Sequence, residues 1–140
     1  MNPLEVRRLL FIRTDRLGET LLNLPAAAAL KAAFPQAALT CLVGPHLEPL
    51  IRSLPWIDQV VSYASGPKAL WWKRALELAG ILRPFGFHAA VVSNPQQELH
   101  VAVWCAGVPT RVGYNRKCGR LLTHRLADRK ALGDRHEVEY

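Results

Sequence analysis

Short apolar runs alternate with helix-like segments along most of this chain. The runs have the length of buried strands and lie at residues 8–13, 38–43, 58–63, 88–92 and 110–114. Between them, apolar residues recur at helical spacing, as at positions 71, 75, 78, 79 and 82. Strands that alternate with helices in this way predict a parallel sheet with helices on both faces.

Proline and glycine mark the predicted boundaries. A helix is expected after Gly18 and ends at Phe34, because Pro35 disfavours helical backbone before it. Pro25 either kinks that helix or restarts it in a new first turn. Shorter helices are predicted at 46–54 and 96–106, a longer one from the signal at 65–67 to about residue 83, and a short strand at 121–126.

These elements predict one Rossmann-like domain over residues 1–140, an open and mostly parallel sheet with right-handed crossovers. The turns that follow three strands, at 14–18, 44–45 and 93–95, would then lie along one edge of the sheet. We call this edge, where the strands end, the rim. Ligands of open α/β sheets bind at the carboxyl ends of the strands, so the rim is the expected site.

The chain is basic, with a formal net charge of +7 and a pI of about 9.8. Seven of its lysines and arginines lie between residues 111 and 130, beside the single acid Asp128. This charge favours anionic partners such as nucleic acid, phosphorylated substrates or an acidic membrane surface. A solvated basic surface explains the same segment without any partner.

The cysteines and the amino-terminal segment indicate in which cellular compartment the protein is expected. Cys41, Cys105 and Cys118 are widely spaced, and neither a Cys-x-x-Cys motif nor a histidine at metal-ligand spacing occurs. Because Cys41 and Cys105 lie in apolar runs, we expect both to be buried thiols. We also expect no metal and a reducing, cytoplasmic location. The charged amino terminus and its short apolar run are typical neither of a signal peptide nor of a membrane span. The five histidines are scattered and receive no role.

Two acidic residues, Asp15 and Glu19, lie where the chain passes from the first predicted strand into the first predicted helix. Glu19 falls in the first turn of the predicted helix, where the helix dipole favours a carboxylate by about 0.3–1 kcal/mol. Asp15 is placed to cap the same helix. Either carboxylate could instead act as a general base toward a substrate hydroxyl. Gly18 allows close approach of a ligand or a special backbone angle, but no dinucleotide fingerprint or phosphate-binding loop is present.

Other polar residues at or near predicted strand ends are candidates for substrate contacts. Arg13, Arg16 and Arg111 could each bind a phosphate group through a bidentate guanidinium. Ionic pairing at helix ends or at the surface explains them equally well. Ser93 and Asn94 could bond ligand hydroxyls, although turn chemistry alone accounts for Asn94 before Pro95.

Several short segments form a series along the chain. The first is Arg13-x-Asp-Arg-Leu-Gly-Glu-x-Leu-Leu-x-Leu-Pro25, followed by Leu-Lys-x-x-Phe-Pro ending at residue 35. The others are Leu-Val-Gly-Pro at 42–45, Pro-x-Ile-Asp-x-Val at 55–60, Ala-Gly-Val-Pro-x-Arg-Val-Gly-Tyr at 106–114 and His-x-Val-Glu at 136–139. In this order, the segments resemble glycosyltransferase family 9, the lipopolysaccharide heptosyltransferases, and together they extend over nearly the whole chain.

The resemblance implies the N-terminal, acceptor-binding half of a two-domain glycosyltransferase of the GT-B type. Such an enzyme transfers heptose or a related sugar, with inversion and without a metal, from a nucleotide sugar such as ADP-heptose. The acceptor would be lipid-linked or phosphorylated, of the lipopolysaccharide-core type. The family's proposed base is an acid after the glycine, commonly Asp; here that position is Glu19, which is one methylene longer. Asp15 is the neighbouring candidate.

The resemblance also implies that the C-terminal, donor-binding domain is absent from these 140 residues. We therefore expect the isolated chain to be inactive, with no cofactor of its own and with the donor bound through the missing domain. Nucleic acid is not expected as a partner under this interpretation. The alternative is a non-catalytic Rossmann-like module that binds a polyanion such as nucleic acid through the basic late segment.

An aromatic and basic cluster is the last candidate feature. Trp71 and Trp72 adjoin Lys68, Lys73 and Arg74, a composition that suits a helix lying on an anionic membrane. That predicts a peripheral location at the inner face of the cytoplasmic membrane. Core packing of Trp71 with a half-buried Trp72 is the simpler explanation.

Overall fold

Six strands and four α-helices alternate through the described part of the chain. The computed structural model describes residues 6–14, 17–64, 70–93, 96–114 and 119–126, without the side chains of 17, 119, 125 and 126. The strands are β1 Arg8–Arg13, β2 Ala38–Val43, β3 Gln59–Ser62, β4 Ala89–Val92, β5 Thr110–Tyr114 and β6 His124–Leu126. The α-helices are α1 Leu17–Ala33, α2 Glu48–Arg52, α3 Trp71–Leu82 and α4 Gln97–Cys105.

All the strand pairs of the sheet are parallel, and the strand order is β3-β2-β1-β4-β5-β6. β1 is therefore central, which explains why both of its faces are apolar. Leu9 and Phe11 face one layer of the core, and Leu10 and Ile12 face the other. The predicted open parallel sheet is confirmed.

Helices cover both faces of this sheet, as predicted. Ala27 of α1 and Ile51 of α2 belong to the core layer that contains Leu9 and Phe11. α3 and α4 cover the opposite face, where Leu78 and Leu99 pack in the layer with Leu10. The predicted apolar stripe of α3 is the face that is buried, since Ala75, Leu78, Ala79 and Leu82 are all at most 4% exposed.

Some boundaries differ from the sequence-based expectation. The helix predicted at 46–54 is a 3₁₀ turn, Pro45–Leu47, followed by the short α2. α1 continues through Pro25 as a single assigned helix. The last strand begins at His124, not at residue 121, because Gly119–Leu121 forms a 3₁₀ turn before it. The predicted helix start at 65–67 lies outside the described residues.

Cys41 lies in the core, as its apolar surroundings predict. It is 2% exposed, and burial raises the pKa of its thiol to about 12. Cys105 is a partly buried free thiol, and Cys118 lies outside the described residues. Within the described ranges, no group of three or more His, Cys, Asp or Glu side chains is arranged to hold a metal ion. None of the helices described combines the length and hydropathy that a membrane span requires.

Gly113 in β5 is expected to tolerate no side chain. A Cβ there would lie 3.1 Å from the Val92 carbonyl oxygen and 3.2 Å from Leu122 Cδ1. Gly113→Ala should lower the free energy of unfolding, measured in urea, by about 1–3 kcal/mol because the strands must separate. Gly80→Ala is the matched control: a Cβ there meets no atom within 4 Å, so helix propensity should raise the same free energy by up to about 1 kcal/mol. Equal effects of the two substitutions would contradict this packing.

Candidate active site at the rim

Three neighbouring strands end together at the rim. β1 lies between β2 and β4, and the register pairs Arg13 with Val43 and Ile12 with Val92. The connections that leave these strands therefore start side by side. The predicted alignment of the three turns along one edge is confirmed for their described residues.

Glu19 lies in the first turn of α1, directly above the end of β1. Its Oε2 is 2.8 Å from the guanidinium Nη2 of Arg13, the last residue of β1. The Glu19 side chain is 40% exposed, whereas that of Arg13 is only 10% exposed. The carboxylate is thus held from below by a buried cation and remains accessible at the rim.

A ring of hydrogen bonds fixes the Arg13 guanidinium. Its Nη1 donates to the Ser93 carbonyl oxygen at 3.0 Å and lies 3.4 Å from the Ser93 hydroxyl. The Ser93 hydroxyl donates to Asn23 Oδ1 at 2.5 Å, and Asn23 Nδ2 donates to the Glu19 carbonyl oxygen at 2.8 Å. The ring joins the ends of β1 and β4 to the start of α1. It limits the orientations that the Glu19 carboxylate can adopt.

Arg13 and Ser93, two of the predicted substrate-binding residues, both contact groups of the protein itself. Both residues are buried, at 9% and 7% exposure. They lie beneath the more exposed Glu19, and their contact with a substrate stays a prediction. Asn23, one helical turn after Glu19, was not singled out from the sequence. Its spacing of four residues from Glu19 is the local signal that could have identified it.

Gly18 is exposed beside Glu19. Its φ lies outside the left-handed region, so the suggestion of a special backbone angle is wrong. A Cβ at this position would meet no atom within 4 Å. No described residue therefore requires glycine at this position, and the room that it leaves for a ligand stays a prediction. Asp15, Arg16 and Asn94 lie outside the described residues.

The structure does not bring Arg111 to the rim. Arg111 is the second residue of β5 and pairs with Ala90, near the amino ends of the strands. Its guanidinium donates to the carbonyl oxygens of Val108 and Leu121, both at 2.6 Å. Arg111 thus ties the approach to β5 to the turn before β6.

A second carboxylate lies at the same edge but on the other face of the sheet. Glu98, in the first turn of α4, is 7% exposed. Its Oε2 accepts hydrogen bonds from the Tyr63 hydroxyl at 2.6 Å and from Arg74 Nε at 3.1 Å. Burial, together with the adjacent Glu98 carboxylate, raises the pKa of Tyr63 to about 12, so the phenol remains a donor. The sequence analysis missed this cluster, although Glu98 follows β4 much as Glu19 follows β1.

A cleft of about 490 Å³ opens at the opposite, amino edge of the sheet. Arg8, Thr40, Asp58 and Phe85 are among its lining residues. Of the predicted site residues that the structure describes, none lines this cleft. The cleft is therefore separate from the rim, and its position does not indicate that it takes part in a reaction at Glu19.

Comparison with curated proteins finds similarity to a glycosyltransferase. The chain is 28% identical over 136 residues to a Haemophilus influenzae protein named "Putative glycosyltransferase". The match includes 96% of this chain but only 38% of that relative. The chain thus spans well under half the length of this curated relative. No protein-family model matches the chain.

Solved structures with the same fold are heptosyltransferases and a family 9 glycosyl transferase. The family 9 structure, from Veillonella parvula, aligns with 99% of this chain and 40% of its own, at a TM-score of 0.80 and 19% identity. Escherichia coli ADP-heptose LPS heptosyltransferase II aligns with 89% of this chain and 36% of its own, at 0.73 and 21%. E. coli heptosyltransferase WaaC with ADP aligns with 94% of this chain and 43% of its own, at 0.71 and 16%. The fold that the resemblance to family 9 implies is therefore confirmed.

Proposed function

We propose that this chain is the acceptor-binding half of an inverting, metal-independent glycosyltransferase of family 9. Three independent features support the proposal. The family motifs occur in order along the sequence, the fold matches along 89–99% of the chain, and Glu19 occupies the turn after β1. The feature that carries the mechanism is Glu19, a carboxylate at the rim that is 40% exposed and held by a buried arginine.

In the proposed reaction, a hydroxyl of the acceptor sugar attacks the anomeric carbon of the donor. The new glycosidic C–O bond forms as the bond from that carbon to the nucleoside diphosphate breaks. Glu19 accepts the hydroxyl proton, and the leaving diphosphate takes the bonding electron pair. A base must lie about 2.6–3.2 Å from the hydroxyl for this transfer. The exposure of the Glu19 side chain at the rim is compatible with such an approach.

Arg13, Ser93 and Asn23 support Glu19 in this proposal and do not bind the substrate directly. A catalytic group is effective only when its own neighbours restrict its position, and errors of about an ångström can cost on the order of a hundredfold in rate. Glutamate is one methylene longer than the aspartate common in the family. The ion pair with Arg13 restricts the additional torsion that the methylene introduces. Asp15 and Arg16 remain the nearest further candidates for catalysis and for binding of an acceptor phosphate.

The proposal assigns the donor to a second domain of a GT-B architecture. The donor would be a nucleotide sugar, ADP-heptose in the first instance, and the acceptor a lipid-linked or phosphorylated core saccharide. Two proteins of similar fold support this donor, since one is an ADP-heptose LPS heptosyltransferase and the other is a heptosyltransferase with ADP. A cytoplasmic enzyme that meets its acceptor at the inner face of the membrane is consistent with these substrates.

The test is sugar transfer from ADP-heptose to a deacylated core oligosaccharide. We expect transfer when the chain is joined to a family 9 donor-binding domain and none by the 140-residue chain alone. Glu19→Gln in the joined protein should abolish most of this transfer. Full activity of that variant would reject Glu19 as the base, and transfer by the isolated chain would reject the division into two halves.

We also propose that α3 contacts an anionic membrane. Trp72 and Leu76 lie one helical turn apart and are 54% and 55% exposed, with exposed Lys73 between them. Trp71 is half-buried, Arg74 donates a hydrogen bond to Glu98, and Lys68 lies outside the described residues. The proposal therefore rests on the exposed tryptophan, the leucine and one lysine.

Vesicle binding checks this contact. The wild-type chain should sediment with vesicles that contain phosphatidylglycerol, and Trp72→Ala/Leu76→Ala should weaken that binding by at least about tenfold, because less apolar surface enters the membrane. Leu50→Ala is the matched control, since Leu50 is 43% exposed on α2 at the opposite face. Failure of the wild-type chain to bind anionic vesicles, or equal losses in the two variants, would rule the contact out.

A further inference from the structure

His46 is an exposed side chain on a rigid turn at the rim. It is the middle residue of the 3₁₀ turn Pro45–Leu47, which directly follows β2. Pro45 fixes the start of this turn, and Leu47 anchors its end in the core at 3% exposure. The imidazole is thus displayed by a fixed segment next to the end of β1. Nothing in the mechanism above uses it.

The glycine before this turn makes room for the imidazole. A Cβ at Gly44 would lie 2.8 Å from His46 Cε1 and 3.0 Å from His46 Nδ1. The backbone angles of Gly44, φ −64° and ψ 150°, are ordinary extended values that any residue can adopt. A side chain at this position would therefore require the imidazole ring to move, whereas the backbone conformation does not require glycine. Its missing side chain is what lets the ring lie against the backbone.

Gly44, which lies against the His46 ring, is also close to Thr14 at the end of β1. The carbonyl oxygen of Thr14, the residue after β1, lies 3.6 Å from the Cβ position of Gly44. Thr14 and Gly44 are thus neighbours at the carboxyl ends of adjacent strands, and the turn that carries His46 starts beside the end of β1. A ligand that reaches the exposed carboxylate of Glu19 along this edge would pass beside the imidazole.

We infer that His46 is a second acceptor-binding residue, one that bonds a hydroxyl or phosphoryl oxygen of the saccharide and orients it toward Glu19. This inference rests on the proposed function. Imidazole can donate one hydrogen bond and accept another, which matches the donor and acceptor character of a sugar hydroxyl. Gly44 is the positioning residue for this ring.

The experiment measures binding of a deacylated, phosphorylated core oligosaccharide to the ¹⁵N-labelled 140-residue chain by NMR. The imidazole signals of His46 and the backbone amides of Gly18 to Thr20 should shift and saturate at the same ligand concentration. His46→Ala should weaken binding about five- to tenfold, the loss expected for one hydrogen bond. Gly44→Ala should cause a similar loss with His46 retained, because the added methyl displaces the ring.

Matched variants separate this inference from the proposed function. His124→Ala removes another exposed histidine, and Gly80→Ala adds a methyl where no atom lies within 4 Å, so both should bind as the wild type does. Wild-type binding by His46→Ala, with the Gly18–Thr20 amides still shifting, would overturn the role of His46 alone. No shift of either region would overturn both proposals. His46→Ala leaves the Gly44 backbone unchanged and carries the test should Gly44→Ala not fold.

Discussion

Replacing Glu19 with glutamine is expected to lower the rate of sugar transfer by about 10²–10⁴-fold, the usual contribution of a positioned general base. The amide cannot accept the hydroxyl proton, but it keeps the length of the side chain and an oxygen for Arg13. The KM for the acceptor should change far less than kcat, since contacts with the sugar remain. Steady-state kinetics in the protein that joins this chain to a donor-binding domain provides the measurement.

Two further variants make the Glu19 result specific. Glu19→Asp restores the residue common in family 9 and should retain much more activity than Glu19→Gln. Glu77→Gln changes an exposed acid on α3, away from the rim, and should leave kcat unchanged. If the Glu19→Gln enzyme keeps the wild-type kcat, Glu19 is not the base, and Asp15 becomes the candidate to be tested by the same substitution to the amide.

Arg13→Met is expected to impair both stability and activity. The guanidinium bridges Glu19 Oε2 and the Ser93 carbonyl oxygen from a site that is only 10% exposed. Its loss leaves the buried Ser93 carbonyl without that donor, which should lower the free energy of unfolding by about 1–3 kcal/mol. Because Arg13 would no longer hold the Glu19 carboxylate in position, kcat should also fall by about tenfold or more. Urea denaturation of the chain and kinetics of the joined protein measure the two effects separately.

Arg13→Lys and Arg52→Met are the controls for this prediction. Lysine keeps the charge but lacks the planar fork, so it should hold either Glu19 or Ser93 and recover only part of the loss. Arg52 pairs with Glu48 in an exposed contact on α2, where the Arg52 side chain is 60% exposed. Arg52→Met should therefore change stability by at most about 1 kcal/mol. Equal losses in Arg13→Met and Arg52→Met would contradict the supporting role of Arg13.

The strands could be predicted from sequence because local features bound them. The apolar runs of β1 and β2 start and stop at charged residues, glycine or proline, and the structure gives them the predicted bounds, Arg8–Arg13 and Ala38–Val43. The buried stripe of α3 follows from helical periodicity alone. Predictions were weaker where the competing states are close in energy, as in the 3₁₀ turn that replaces most of the helix expected after Pro45.

The contacts of the candidate site could not be predicted in the same way. Arg13 meets Ser93 across 80 residues of sequence, and Ser93 meets Asn23 across 70. Such contacts depend on which strands are neighbours and in what register, information that no local pattern contains. From the sequence, Arg13 and Arg111 were equivalent candidates for binding phosphate. The register places Arg13 at the carboxyl end of its strand and Arg111 near the amino end of another.

The contacts of Glu98 could not be predicted from the sequence for the same reason. Tyr63, Arg74 and Glu98 come from three separate elements and meet at one carboxylate oxygen. Each residue alone has an ordinary explanation, as a strand-end aromatic, a helical cation or an acid in a first helical turn. Only the crossover from β3 to α3 and the packing of α3 on α4 bring them together.

A structure of this chain bound to a deacylated core oligosaccharide tests the central claim most directly. We predict that a carboxylate oxygen of Glu19 lies about 2.6–3.2 Å from one hydroxyl of the acceptor, with the ion pair to Arg13 intact. An acceptor bound at the rim with every hydroxyl more than about 5 Å from Glu19, or bound in the cleft at the amino edge, would contradict the claim.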